Sequence, residues 1–325
     1  MRRSLQSLLT TLRGGSLPRA RLYDLSNLEE EEMAEVRAVW FDLPLETRQR
    51  TIAALAEIAE DDFEVNFGEV FRMALEDPDA TVRQVAVDGL WEEDDIRMIP
   101  LLLARLREDP ATEVRAAAAI GLGRFVLMGE LGKIRPQPYR QAYQGLLTAH
   151  TSDEQTEVRR RALESLAYSG KREVAALIGA AYQHPDEKMR VSAIFAMGRS
   201  ADERWASCVL EQLSATNPEM RYEAARACGE LAIEEAIPRL VRLVNDTDPE
   251  VREATIWSLG QIGGDEARRV LRLCAQVEDE AMRQAAREAL RELEFLHGDL
   301  GGLLLPFDFD EEEEEEEDFE DEDLL

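Results

Sequence analysis

Three histidines and three cysteines are the residues of this 325-residue chain best suited to metal binding or nucleophilic attack near neutral pH. Their spacing supports neither. Cys208, Cys228 and Cys274 form no CxxC pair, and an odd number of cysteines gives no disulfide framework, which suits a reducing compartment. His150, His184 and His297 belong to no HExxH motif, and the chain has no Walker loop, Rossmann fingerprint or GxSxG elbow. The sequence therefore predicts no catalytic residue, no metal site and no cofactor.

A second kind of chemistry is better represented. Arg97, Arg105 and Arg107 stand in one acid-free stretch, Arg239 and Arg242 in another, and Arg268, Arg269 and Arg272 in a third. Guanidinium groups grip carboxylates in bidentate fashion, so Arg97, Arg105, Arg239, Arg242, Arg268 and Arg272 are candidates for a groove that binds an acidic peptide. The same arginines would also complement the negative C-terminal ends of helices, and the sequence alone admits both readings. At the other end of the charge scale, residues 308–323 carry 14 acids and no base, interrupted by Phe309 and Phe319. Such a segment has almost nothing to bury and is expected to be disordered. The two phenylalanines suggest anchors for a basic partner or for the chain's own arginines.

These side chains are positioned by a repeat. Arginine preceded by Val or Met recurs at Arg83, Arg115, Arg159, Arg190, Arg221, Arg252 and Arg283, with a weaker first copy at Arg48; the steps are 35, 32, 44, 31, 31, 31 and 31 residues. Around each arginine the positions −1, +3 and +7 are apolar or small, as in Val251, Thr255 and Leu259, which places them on one helical face. Asp79, Asp186, Asn217, Asp248 and Asp279, at −4, suit N-caps, and Pro218 and Pro249 follow two of them at the first helical position. At +8, Gly123, Gly198, Gly229 and Gly260 either permit close helix packing or end the helix. A second amphipathic stretch completes each unit, so the chain is all-α, a stack of about eight helix-turn-helix units. The repeated arginine is expected to bridge to acids of its own or the preceding unit. Cys228 falls at an apolar +7 position and is expected in the core, while His150 and His184 end second helices, where a cation would favour the helix terminus. Trp91 replaces the turn glycine of one unit and predicts a looser turn. The long 44-residue step predicts an insertion over residues 126–138, leaving the stack as a loop.

At these residues the chain resembles the HEAT repeat family, particularly the short bacterial form associated with phycobilisome lyases. The D-P-E-V-R…A…L-G-x-I-G pattern is nearly complete from Asp248 to Gly263. The resemblance implies a right-handed superhelix whose second helices line a concave, protein-binding surface. Iron-dependent hydroxylases of this family use His-Glu pairs, and none of the three histidines here is followed by Glu. Lyase-like activity is the enzymatic alternative to a non-catalytic scaffold.

Net charge is −30; residues 28–307 carry 33 basic and 53 acidic groups, so the body is acidic even without the tail. This disfavours nonspecific binding to nucleic acid or anionic membrane and favours a basic protein or peptide partner. No apolar run approaches a membrane span. The division expected is a mobile basic segment over 1–27, a solenoid over 28–298 with Leu28 to Trp40 capping its first end, and an acidic tail over 299–325. The chain is expected to be a cytoplasmic monomer, although an acid-free start through Tyr23 is also compatible with a mitochondrial transit peptide.

Overall fold

The computed structural model describes residues 2–297, and all regular structure within that range is helical. Phe309, Phe319 and the tail assigned to 299–325 lie outside the described residues. Helix α1 (Arg2–Arg13) and a 3-10 turn (Arg19–Leu25) precede α2 (Glu30–Trp40). Seven helix pairs follow: α3 (Leu45–Asp61) with α4 (Gly68–Ala74), α5 (Ala80–Asp88) with α6 (Met98–Glu108), α7 (Thr112–Glu130) with α8 (Pro136–Ser152), α9 (Thr156–Leu166) with α10 (Arg172–Tyr182), α11 (Glu187–Arg199) with α12 (Ala206–Gln212), α13 (Pro218–Glu230) with α14 (Ile237–Leu243), and α15 (Pro249–Ile262) with α16 (Gly264–Cys274). The last repeat contributes α17 (Glu280–His297). This is an α-solenoid. Among the described residues no helix is long and apolar enough to cross a membrane.

The repeat positions take the places their spacing predicts. Val82, Val114, Val158 and Val251 at −1, Ala86, Ala118, Ala162, Ala193 and Ala224 at +3, and Leu122, Leu166, Met197, Cys228 and Leu259 at +7 are all fully buried. Asp79, Asp186, Asn217 and Asp248 accept backbone N–H groups of their first turns; losing one such cap costs about 1 kcal/mol. The glycines at +8 do not end helices. They lie inside α7, α11, α13 and α15, where a Cβ at Gly123 would meet Ser165 Oγ at 2.8 Å, one at Gly198 would meet Ala227 Cα at 2.9 Å, and one at Gly229 would meet Ser258 Cα at 2.9 Å. Each contact is with the next first helix, so glycine is needed for backbone approach.

Three expectations are corrected. Residues 1–27 are not a mobile arm: Leu5, Leu8, Leu9 and Leu12 form one apolar face of α1 and are buried, while Arg21 donates to the Ser4 carbonyl at 2.5 Å and Arg19 pairs with Glu57 at 2.5 Å. The i, i+3, i+4, i+7 leucines outweigh the basic composition, and α1 with its turn, rather than α2 alone, closes that end of the stack. The insertion does not leave as a loop. It lengthens α7 to 19 and α8 to 17 residues, leaving a short connector over 131–135.

The third correction concerns curvature. First helices pack along their length, α7 on α9, α11 on α13, α13 on α15 and α15 on α17, whereas successive second helices beyond α8 touch sparingly. A stack that is tight along one row and open along the other bends toward the tight row, so the first helices line the concave side and the second helices the outer one. The glycines and alanines at +3 and +8 are what allow the inner row to close up.

Candidate protein-binding face

Two sets of charged residues lie on the solenoid, one in the turns and one on the concave face. In the turns, the repeated arginine closes the end of the preceding second helix. Arg83, Arg115, Arg159, Arg190, Arg221 and Arg283 each donate to the two carbonyls five and six residues before them, at 2.8 to 3.4 Å. In four units the remaining guanidinium nitrogens reach an aspartate at the far end of the same unit, where its second helix ends, which is the own-unit bridge the spacing suggests. Arg48 meets Asp77 at 2.8 Å, Arg83 binds Asp109 through two bonds of 2.8 Å, Arg115 meets Asp153 at 2.9 and 3.2 Å, and Arg221 meets Asp246 at 2.8 and 2.7 Å. Each of these aspartates stands six residues before the next repeated arginine, so the links form a ladder. Hydrogen bonding to Arg221 and Arg83 holds the carboxyls of Asp246 and Asp109 below the usual carboxylate range, against the opposing effect of burial at Asp109. The ladder is interrupted where His184, Ala215 and Val277 replace the aspartate.

The concave face is built from positions +1, +2, +5 and +9 of the first helices, some of which, such as Arg160, Glu164 and Ser192, are buried. Over α9 to α15 they bring together Arg161, Tyr168, Phe195, Tyr222, Glu223, Arg226 and Trp257 above two adjoining concavities of about 330 and 560 Å³ that share Arg161. Arg160 and Arg161 are engaged by Glu157 and Glu164, and Ser192 donates to Glu164 at 2.5 Å. Arg199 pairs with Glu230 at 3.1 Å, and Arg226 stacks over the Trp257 ring at 3.7 Å. The larger concavity also holds Glu219, Glu250 and Glu253, with Glu223 among them. Burial, then the nearby carboxylates Glu164 and Glu230, push the Glu223 carboxyl up to about 7. Around the larger concavity the four glutamates outnumber Arg161 and Arg226, and the lining is aromatic.

The six arginines proposed from the sequence are not gathered on this face. They sit on or beside the outer helices α6, α14 and α16, with none on the intervening α10 or α12. Arg97 pairs with Asp95; Arg105 reaches the Leu75 carbonyl at 3.2 Å, and Arg239 reaches the Leu210 carbonyl at 2.5 Å, each tying one second helix to the one before. Arg242, Arg268 and Arg272 have no acidic partner among the described residues. The concave residues occupy positions that vary from repeat to repeat, so no constant offset marks them, and only the variation itself at +1, +2, +5 and +9 signals them in the sequence.

Burial pushes the Cys228 thiol up to about 12. Burial also lowers the pKa of His150, whose Nδ1 lies 2.9 Å from the Arg159 carbonyl, so this ring is not the helix-end cation expected; His184 instead accepts the Asp186 N–H through Nδ1 at 3.1 Å. Among the described residues no three His, Cys, Asp or Glu side chains gather as a metal site.

Comparison with solved structures finds yeast importin-β (12% identity, TM-score 0.52, 90% of this chain and 46% of that one). It also finds the complex of CpcE and CpcF of phycocyanin lyase from Nostoc sp. PCC7120 (19% identity, TM-score 0.50, 69% and 87%) and human deoxyhypusine hydroxylase (20% identity, TM-score 0.36, 82% and 97%). At these identities the likeness is one of fold. No curated protein matches the sequence. The family profile described as HEAT repeats matches residues 42–123, 143–211 and 206–291, and the chain belongs to the HEAT repeat family.

Proposed function

We propose that the protein is a non-catalytic scaffold that holds a basic segment of a partner protein against the concave face of its first helices. The observation that carries this reading is the region around Glu223. Four carboxylates, Glu219, Glu223, Glu250 and Glu253, share one concavity with Tyr222 and Trp257, and the Glu223 carboxyl is driven toward its neutral form by burial and by the neighbouring carboxylates, against the opposing pull of Arg226. A lysine or arginine side chain supplies the missing charge, and the aromatic rings supply apolar area and cation–π contact. The net charge of −30 steers basic partners toward the same surface. The acidic segment over 308–323 acts as an electrostatic element, and the chain works as a soluble cytoplasmic monomer.

The test uses full-length protein and a synthetic Arg/Lys-rich peptide, beside affinity capture of partners. Binding of the peptide is expected to tighten from pH 6 to pH 8 as Glu223 ionises, and to weaken at least about tenfold with Tyr222→Ala/Trp257→Ala. The same variant should lose the captured proteins, whereas Arg242→Gln/Arg272→Gln should retain them. Capture unaffected by the concave variant and abolished by the outer-helix variant would move the binding surface to the second helices and sink this reading.

A further inference from the structure

The two ends of a solenoid expose a face that every inner repeat covers with its neighbour. On the second helices the covered flank is formed by the positions 16 and 20 residues after the repeated arginine. These are Ile99 and Leu103 in α6, Ala175 and Gly179 in α10, Ala206 and Leu210 in α12, and Ile237 and Val241 in α14. Their direction is fixed by contact: a Cβ at Gly145 of α8 would strike the Leu103 side chain of α6, and one at Gly179 of α10 would lie 3.5 Å from Trp205 of the next unit. On the first helices the corresponding positions are +4 and +8, where Val87, Ala119, Leu163, Ile194, Ala225 and Ile256 at +4 are buried and the +8 glycines touch the following helix.

At the last repeat all four positions change to one residue type. The flank of α16 carries Arg268 and Arg272, and that of α17 carries Arg287 and Arg291. None of the four has a carboxylate partner among the described residues; Arg291 reaches only the Arg287 carbonyl at 3.4 Å, and Nε of Arg268 is buried without a hydrogen-bond partner. Elsewhere, by contrast, the repeated arginines are satisfied twice over. A polar end face needs no such uniformity of sign, since mixed charges would solvate it as well.

We propose that the acidic segment 308–323 of the same chain docks on this four-arginine face and closes the stack where another repeat would stand. Charge complementarity selects the occupant: the segment carries 14 acids and no base, and bidentate guanidinium–carboxylate pairs satisfy both sides. Reach permits it. Residues 298–307 span up to about 33 Å when extended, and neighbouring helices lie about 8 to 10 Å apart, so the segment can cross the whole face from the end of α17. Leu303, Leu304, Leu305 and Phe307 precede the acids and bring apolar area to the same end. This goes beyond the scaffold reading and does not depend on it, because the end face and the concave face share none of these residues.

The test is cleavage of full-length protein by a glutamate-specific protease, followed at the acidic segment by mass spectrometry. In the wild-type protein at low salt, cuts within 311–322 are expected to be about tenfold slower than in Arg268→Gln/Arg272→Gln/Arg287→Gln/Arg291→Gln, and this protection should vanish at 0.5 M salt. A control, Arg107→Gln/Arg135→Gln, removes two exposed arginines elsewhere and should leave protection intact; circular dichroism verifies that both variants keep their helices. Equal rates in wild type and the quadruple variant would overturn the proposal. So would protection that grows with protein concentration, which would seat a second copy on the face.

Discussion

The turns and the concave face use the same two side-chain types to opposite ends. At each rung of the ladder, arginine and aspartate are matched in geometry: Arg83 places its donors on two carbonyls and both oxygens of Asp109, leaving both side chains buried and satisfied. On the concave face around Glu223, carboxylates outnumber cations and one of them moves toward neutrality. Matched charges hold a fold together, whereas unmatched charges in a hollow are a standing demand for something from outside.

The comparison is most sharply broken at Arg83. Arg83→Ala leaves the buried Asp109 with only the longer contact to Arg105 at 3.5 Å and the Ala111 N–H and is expected to lower stability by about 3 kcal/mol. Arg190→Ala, where Ala215 stands in place of the aspartate, should cost only about 1 kcal/mol, closer to the value of its backbone hydrogen bonds. Equal losses in urea or thermal unfolding would remove the distinction between ladder and gap. Next in size is Gly229→Val, which forces α13 from α15 and should cost about 2 kcal/mol; the concave row depends on that approach, and a neutral result would show that its tight spacing is not needed.

On the concave side the sign reverses. Because the Glu223 pKa is raised in the folded state, the folded protein holds its proton more firmly than the unfolded chain does. That contribution is present below the unfolded glutamate pKa and is lost as pH rises through about 7. Glu223→Gln is therefore expected to stabilise by about 1 kcal/mol at pH 8 and to change little at pH 5, measured by Tm across that range. A variant that is destabilising at pH 8 would mean the carboxylate is satisfied after all. The smallest effect belongs to the turns between helices. Ala201 and Ala232 hold φ of 50° and 49° where the equivalent Gly263 holds 75°, so Ala232→Gly is expected to gain up to about 1 kcal/mol by relieving a left-handed alanine.

How much of this was legible in the sequence follows the same division. The core stripe, the N-caps and the helix pairs recur at constant offsets, and constancy is what a reader of one sequence can see. The arginine ladder was half legible: the arginine recurs and bridges within its own unit as its spacing suggests, but its aspartate gives way to His184, Ala215 and Val277 in three units, so the rungs carry no constant mark. The orientation of the stack was hidden, because whether first or second helices face inward depends on how closely each row packs, and that is settled by contacts such as Gly229 against Ser258. Helix α1 was overlooked for a different reason: four leucines at helical spacing were masked by the arginines around them.

Where His184 and Ala215 interrupt the ladder, the ties between repeats move inward. Glu164 accepts from Ser192, and Arg199 holds Glu230, on the face assigned to the partner. The outer rungs at either end behave like mortar, set once and indifferent to cargo. The middle of the arch is pinned by the very side chains a visitor would grasp, so a load that recruits Glu164 or Glu230 also loosens the keystone. Grip and curvature are therefore mechanically one variable in these three repeats, and separate variables elsewhere.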